Sequence, residues 1–171
     1  MSRTKTLVFV SLLIAMEVIF TRFLSFQTPI IRIGFGFIPI AFSGIMFGPL
    51  IGGLTGALSD IIGVTLFSSG AFFPGFTLSA FLGGVIYGLF LHRKPVTILN
   101  VAVSVLLITL FIDLGLNTLW LSMMTGKAVT VLLIPRAYKS AIMLPIQVIT
   151  IQVLWRYLGS YLNSTNYAKQ H

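Results

Sequence analysis

Residues 97–120 read TILNVAVSVLLITLFIDLGLNTLW, an apolar run in which Asp113 is the one ionisable side chain. A helix needs roughly 20 such residues to cross the hydrocarbon of a bilayer, and a run of this length and purity reads as a membrane span. Asp113, Asn117 and Trp120 interrupt it at spacings of four and three, which places an acceptor, an amide and a flat aromatic on one helical face. A carboxylate is too costly to leave in lipid, so that face is expected to point into the protein, where the stripe suits a flat heterocycle.

The rest of the chain has the same character. Its 171 residues are 57% hydrophobic and 8% charged, with a mean hydropathy of +1.04, which takes it outside the range of soluble domains of this length. Apolar stretches at 7–24, 33–49, 51–67, 75–91, 97–120 and 137–159 give six spans, so the expected fold is an all-α integral membrane bundle, with residues 1–171 forming a single transmembrane domain. The second and third spans are joined tightly around Pro49, whereas 25–32, 68–74 and 121–136 read as longer loops on one side. The opening MSRTKTLVFVSLLIAMEVIF starts basic like a signal peptide, but the apolar run continues too long and has no A-x-A-like cleavage site; it reads as the first span.

An even number of spans returns the C-terminus to the side of the N-terminus. Arg3, Lys5, Arg93, Lys94, Arg156 and Lys169 collect there, so both termini are expected in the cytoplasm of a multi-pass cell-membrane protein. Arg22, Arg32, Lys127, Arg136 and Lys139 fall on the other side, against the insertion bias. Two explanations fit: the cations attract and hold an anionic ligand at an outer mouth, or they snorkel to outer head groups, which suits Lys127 best. The net charge of +8 does not indicate nucleic acid, because the eleven Lys and Arg are scattered over loops and helix ends. With no cysteine and two isolated histidines, the chain offers no disulfide, thiolate or imidazole metal site, and nothing in it points to a cofactor.

Only three acidic residues exist, Glu17, Asp60 and Asp113, and each lies inside a span, where an ionised side chain costs about 2.5–3.5 kcal/mol. Such a group either fixes helix packing or lines a wet cavity. Asp60 and Asp113, at similar depth, suit the second role, while a structural pairing with Arg22 is the reading for Glu17. The segment IPRAYKSAIMLPIQ (134–147) places Pro135 where a helix starts and puts Arg136, Lys139, Ser140, Met143 and Gln147 on one face. That face runs from cationic to neutral: Arg136 and Lys139, helped by the amides of a helix N-terminus, would hold a carboxylate, and Gln147 would meet the edge of a ring deeper in. The loops SFQTPIIRIGFGF (25–37) and SSGAFFPGF (68–76), with Phe26, Gln27, Arg32, Phe35, Phe72, Phe73 and Phe76, have the composition of aromatic lids. Gly44, Gly48, Gly52 and Gly56, and then Gly84 and Gly88, allow close helix approach, and Ser11-xxx-Ala15 on the first span offers a small patch for a partner's helix. There is no GxxxxGK[ST] loop, no HExxH pair, no G-x-S-x-G elbow and no acidic cluster for Mg2+, so neither ATP hydrolysis nor another catalytic constellation is expected.

Three segments carry a family resemblance: IGFGFIPIAFSGIMFGPLIGGLTGALSDIIG (33–63), GAFFPGFTLSAFLGGVIYGLF (70–90) and PRAYKSAIMLPIQ (135–147). Together they resemble the S components of energy-coupling factor (ECF) transporters, small six-helix proteins that bind a vitamin outside the cell, and the last segment is similar to the sixth-helix start of the folate-specific members. The resemblance implies a transmembrane coupling subunit and two ATPase subunits as partners, and delivery by toppling in the bilayer. It also implies an AxxxA docking patch on the first helix, where this chain has Ser11 and Ala15. A folate or related pterin then fits the charge pattern: Asp60, Asp113, Asn117, Gln147 and the aromatics Phe72, Phe73 and Trp120 for the ring, and Arg22, Arg32, Arg136 and Lys139 for the glutamate tail. Three other readings stay open: the same architecture for riboflavin or pantothenate, a membrane enzyme using Asp60 and Asp113 on anionic lipid, and a purely structural subunit.

Overall fold

The computed structural model describes residues 3–27, 31–67 and 72–167, with all side chains in those ranges except Gln27, Arg32 and 159–167. Lys169 and residues 68–71 lie outside the described residues. The described residues form six helical rods: α1 (Arg3–Arg22), α2 (Phe37–Phe47), α3 (Pro49–Leu66), α4 (Pro74–Leu91), a composite rod made of α5 (Ile98–Leu107), a π-helical segment (Ile108–Leu116) and α6 (Asn117–Thr125), and α7 (Val129–Tyr167). All but α2 are long and apolar enough to cross a membrane.

The turn chemistry explains where the rods begin and end. Pro49 and Pro74 stand in the first turns of α3 and α4, where a missing N–H costs nothing. The Thr97 hydroxyl caps α5 by accepting from the Asn100 amide. Gly48, at φ +94°, is the whole turn between α2 and α3, and Gly126, at φ +68°, ends α6 in the left-handed region that an L side chain resists.

Three expectations are corrected. The second span was expected over 33–49, but its helix starts only at Phe37 and rises about 16 Å, half a bilayer core. The residues before it instead pair with those just after α1 as a short antiparallel ladder, Phe26 opposite Ile33 and Gln27 opposite Arg32. Next, 121–136 is not a loop: the connection is only 126–128, α6 runs to Thr125, and α7 has already begun at Val129. Pro135 therefore sits inside α7 rather than at its start, as does Pro145. Finally, 97–120 is not a regular α-helix, because its middle is π-wound: the Asn117 N–H bonds the carbonyl of Ile112, five residues back.

Glycines close the centre of the bundle. A Cβ at Gly84 would fall on the Gly52 carbonyl, and one at Gly88 on Pro49, so the α3 and α4 backbones touch directly. Below that contact, Ala41, Ile45, Tyr87, Leu91, Val101, Val105, Val148 and Ile151 form one buried cluster. His92, just past α4, pins this end by a 2.9 Å hydrogen bond between its Nδ1 and the Ile45 carbonyl. The opposite half of the bundle is not filled by side chains, and there the cavity lies.

Candidate binding cavity

A cavity of about 580 Å³ lies among α1, α2, α3, α4, the π segment, α6 and α7, toward the end of the bundle where α1, α3 and α6 terminate. That is within the range of small-molecule sites. Arg22, Asp60, Phe72 and Phe73 line it from one side. Asp113, Asn117, Arg136, Lys139 and Gln147 line it from the other.

The π winding sets the chemistry at Asp113. Where the wide register reverts to α at Asn117 the main-chain ladder shifts, and the Asp113 carbonyl accepts side chains: Arg136 Nη2 at 2.9 Å and the Thr118 hydroxyl at 3.3 Å. Its carboxylate receives Asn117 Nδ2 at 3.2 Å and lies 3.8 Å from Lys139 Nζ. The Lys139 and Asp113 side chains are 16% and 24% exposed, so two opposite charges share one partly wet wall. Arg136 is held about 10 Å along α7 from Val129, and so the amides of a helix N-terminus, expected beside it, lie elsewhere. Its anchor is a carbonyl of the facing rod.

On the other wall the Asp60 carboxylate accepts from the Thr77 hydroxyl at 2.7 Å, tying α3 to α4. The Arg22 guanidinium lies along Gly63 of α3, where any Cβ would stand 2.8 Å from its Nε. The aromatic edge is layered. Phe73 and Phe76 both line the cavity, their ring centroids 6.1 Å apart, and behind Phe73 stands Trp120 (5.7 Å).

Trp120 itself does not line the cavity. Its indole donates to Ser79 Oγ at 3.1 Å, because the wide π turns rotate it away from the line through Asp113 and Asn117. The Arg32 side chain, like that of Gln27, lies outside the described residues. Ser11 and Ala15 are exposed on α1, clear of the cavity and facing away from the bundle.

The sequence did not point to several lining residues. Glu17, only 8% exposed, lines the cavity and accepts from the Thr21 hydroxyl at 2.6 Å. The i, i+4 pairing of a carboxylate with a hydroxyl was the available signal. Ser59 and Ser79 contribute as well, and Tyr87 sits at the inner end. The Tyr87 run, GGVIYGLFL, carries no mark that separates it from core.

Residues 5–161 match the family model for the substrate-specific component of ECF transporters. A folate transporter, FolT, of Clostridium novyi (strain NT) is 53% identical over 156 residues, 91% of each chain. The folate transporter FolT of Leuconostoc mesenteroides is 36% identical over 85% of this chain and 81% of its own. Among solved structures, a crystal structure of FolT bound with folic acid superposes with a TM-score of 0.85 at 41% identity, covering 88% of this chain and 92% of that one. An S component of a bacterial ECF transporter shares the fold at a TM-score of 0.71 and 22% identity. The chain belongs to the substrate-specific components of ECF transporters, multi-pass membrane proteins that capture a substrate for transport and do not transform it.

Proposed function

We propose that this chain binds folate in the cavity, from outside the cell, and passes it to an ATP-driven coupling module made of a transmembrane subunit and two ATPases. The observation that carries the reading is one cavity that gathers Arg22, Arg136 and Lys139 with Asp60, Asp113, Asn117 and Gln147 between aromatic walls. Folate is a flat, donor-rich pterin joined to a glutamate with two carboxylates, and the lining has both complements. Relatives named folate transporters, and a relative's structure holding folic acid, support the same ligand. Carboxylates of the ligand meet the cations, and the pterin lies deeper, toward Gln147. Both termini then face the cytoplasm, and Arg32, on the ladder beside the mouth, joins the cations there.

The exposed small patch of Ser11 and Ala15 on α1 is the proposed seat of the coupling subunit. Calorimetric titration of the purified protein in detergent with folate, riboflavin and pantothenate tests the ligand. Saturable binding of folate at micromolar concentration or below, with no comparable binding of the other two, is expected. Lack of saturable folate binding removes the reading.

A further inference from the structure

Among the described residues, two buried polar groups of the cavity lining are left without a partner. Tyr87 is 3% exposed, and its hydroxyl has no hydrogen-bond partner among the described residues. The Asn117 amide gives its Nδ2 to Asp113, while its buried Oδ1 is likewise unpartnered. Both residues line the cavity.

Tyr87 is not an incidental tyrosine. It lies about 20 Å along α4 from the Pro74 end, where the cavity stops and the buried cluster of Ala41, Ile45 and Leu91 begins. It belongs to that apolar cluster, and a Cβ at Gly44 would stand only 3.1 Å from the Tyr87 Cβ, so its backbone is fixed close against α2. For packing alone a phenylalanine would serve better, because a buried hydroxyl with nothing to bond has given up water for no return. An orphaned polar atom at the wall of a cavity is explained by a bond that forms when the cavity fills.

We infer that Tyr87 is a specificity-determining residue of the binding site: its hydroxyl bonds the polar edge of the ligand's ring at the cavity floor. The inference rests on the folate reading for the identity of the ring. It assigns ring recognition to the floor and leaves the tail to the cations above.

The test compares wild-type protein with Tyr87→Phe, both full-length in detergent, titrated with folate and with pteroate, which lacks the glutamate. Thermal unfolding without ligand is measured in parallel. The substitution is expected to weaken both ligands by the same factor, about three- to tenfold, while the ligand-free Tm stays level or rises because the orphaned hydroxyl is gone. Unchanged affinities, with the wild type binding folate normally, overturn the Tyr87 assignment alone. A loss confined to folate places the tail at the floor and overturns it too. Any fall in the ligand-free Tm gives the hydroxyl a structural role and has the same effect, whereas failure of the wild type to bind folate overturns the ligand reading and this inference with it.

Discussion

Asp113 belongs to the scaffold and to the site at once. Its carbonyl anchors Arg136 and its carboxylate faces Lys139 across 3.8 Å, so the wall that meets an anionic tail already contains a counter-charge. The Lys139 charge is partly answered before any ligand arrives, while Arg136, anchored on a backbone carbonyl through Nη2, carries the planar fork that reads a tail carboxylate through two parallel hydrogen bonds. Arg136→Ala is therefore expected to weaken folate about 10- to 100-fold, as for loss of a hydrogen bond to a charged group, and to leave pteroate nearly unaffected. Parallel titrations of the two ligands decide it, since equal losses would take the tail away from Arg136. Residues of this kind were legible in the sequence because a charge inside an apolar run is expensive and needs a reason: Asp60, Asp113, Arg136 and Lys139 all line the one cavity. Tyr87 and Glu17 were not. A tyrosine among Gly, Val and Ile reads as core, and the reading of Glu17 went to ion pairing, while its place at the cavity depends on how α1 is turned against α2 and α3.

The helices show the same division between what the chain announces and what packing decides. Apolar length located α1, α3, α4 and the composite rod to within about five residues but began α7 eight residues late, and two local rules misled. Pro135 was read as a start signal, but inside a bundle neighbouring groups make up for a lost backbone bond, and the helix runs through it. The 3.6-residue period was applied to 97–120, whereas the winding over Ile108–Leu116 is wider, which turned Trp120 from the cavity to Ser79. Two glycines separate backbone conformation from contact. At Gly126, φ is +68° and nothing lies within 4 Å of a built Cβ, so Gly126→Ala should cost about 1 kcal/mol from conformation alone. At Gly84 a Cβ lands on the Gly52 backbone, so Gly84→Ala forces α3 and α4 apart and should cost at least the 1–3 kcal/mol, roughly, of an overpacked core. Unfolding in detergent ranks the two; a Gly84→Ala protein as stable as Gly126→Ala would mean that this helix contact is looser than described.

At the scale of the whole molecule, the charges that seemed to defy the insertion bias sort into two populations. The bias counts Lys and Arg that flank the spans, whereas Arg22, Arg136 and Lys139 line the cavity, one of them beside Asp113. Removing them from the count leaves Arg32 and Lys127 at the cavity end, against Arg3, Lys5, Arg93, Lys94 and Arg156 at the other. The flanking charges thus favour the proposed orientation, with the cavity facing outward. The chain contains no cysteine, so single replacements report this directly. Lys127→Cys, exposed between α6 and α7, should react with a membrane-impermeant maleimide on intact cells. Lys94→Cys, exposed after α4, should react only once the membrane is opened. Saturating folate should leave both patterns unchanged, because neither residue lines the cavity. Labelling of Lys94→Cys on intact cells, with Lys127→Cys protected, would turn the cavity to the cytoplasm and make capture from outside impossible for this fold.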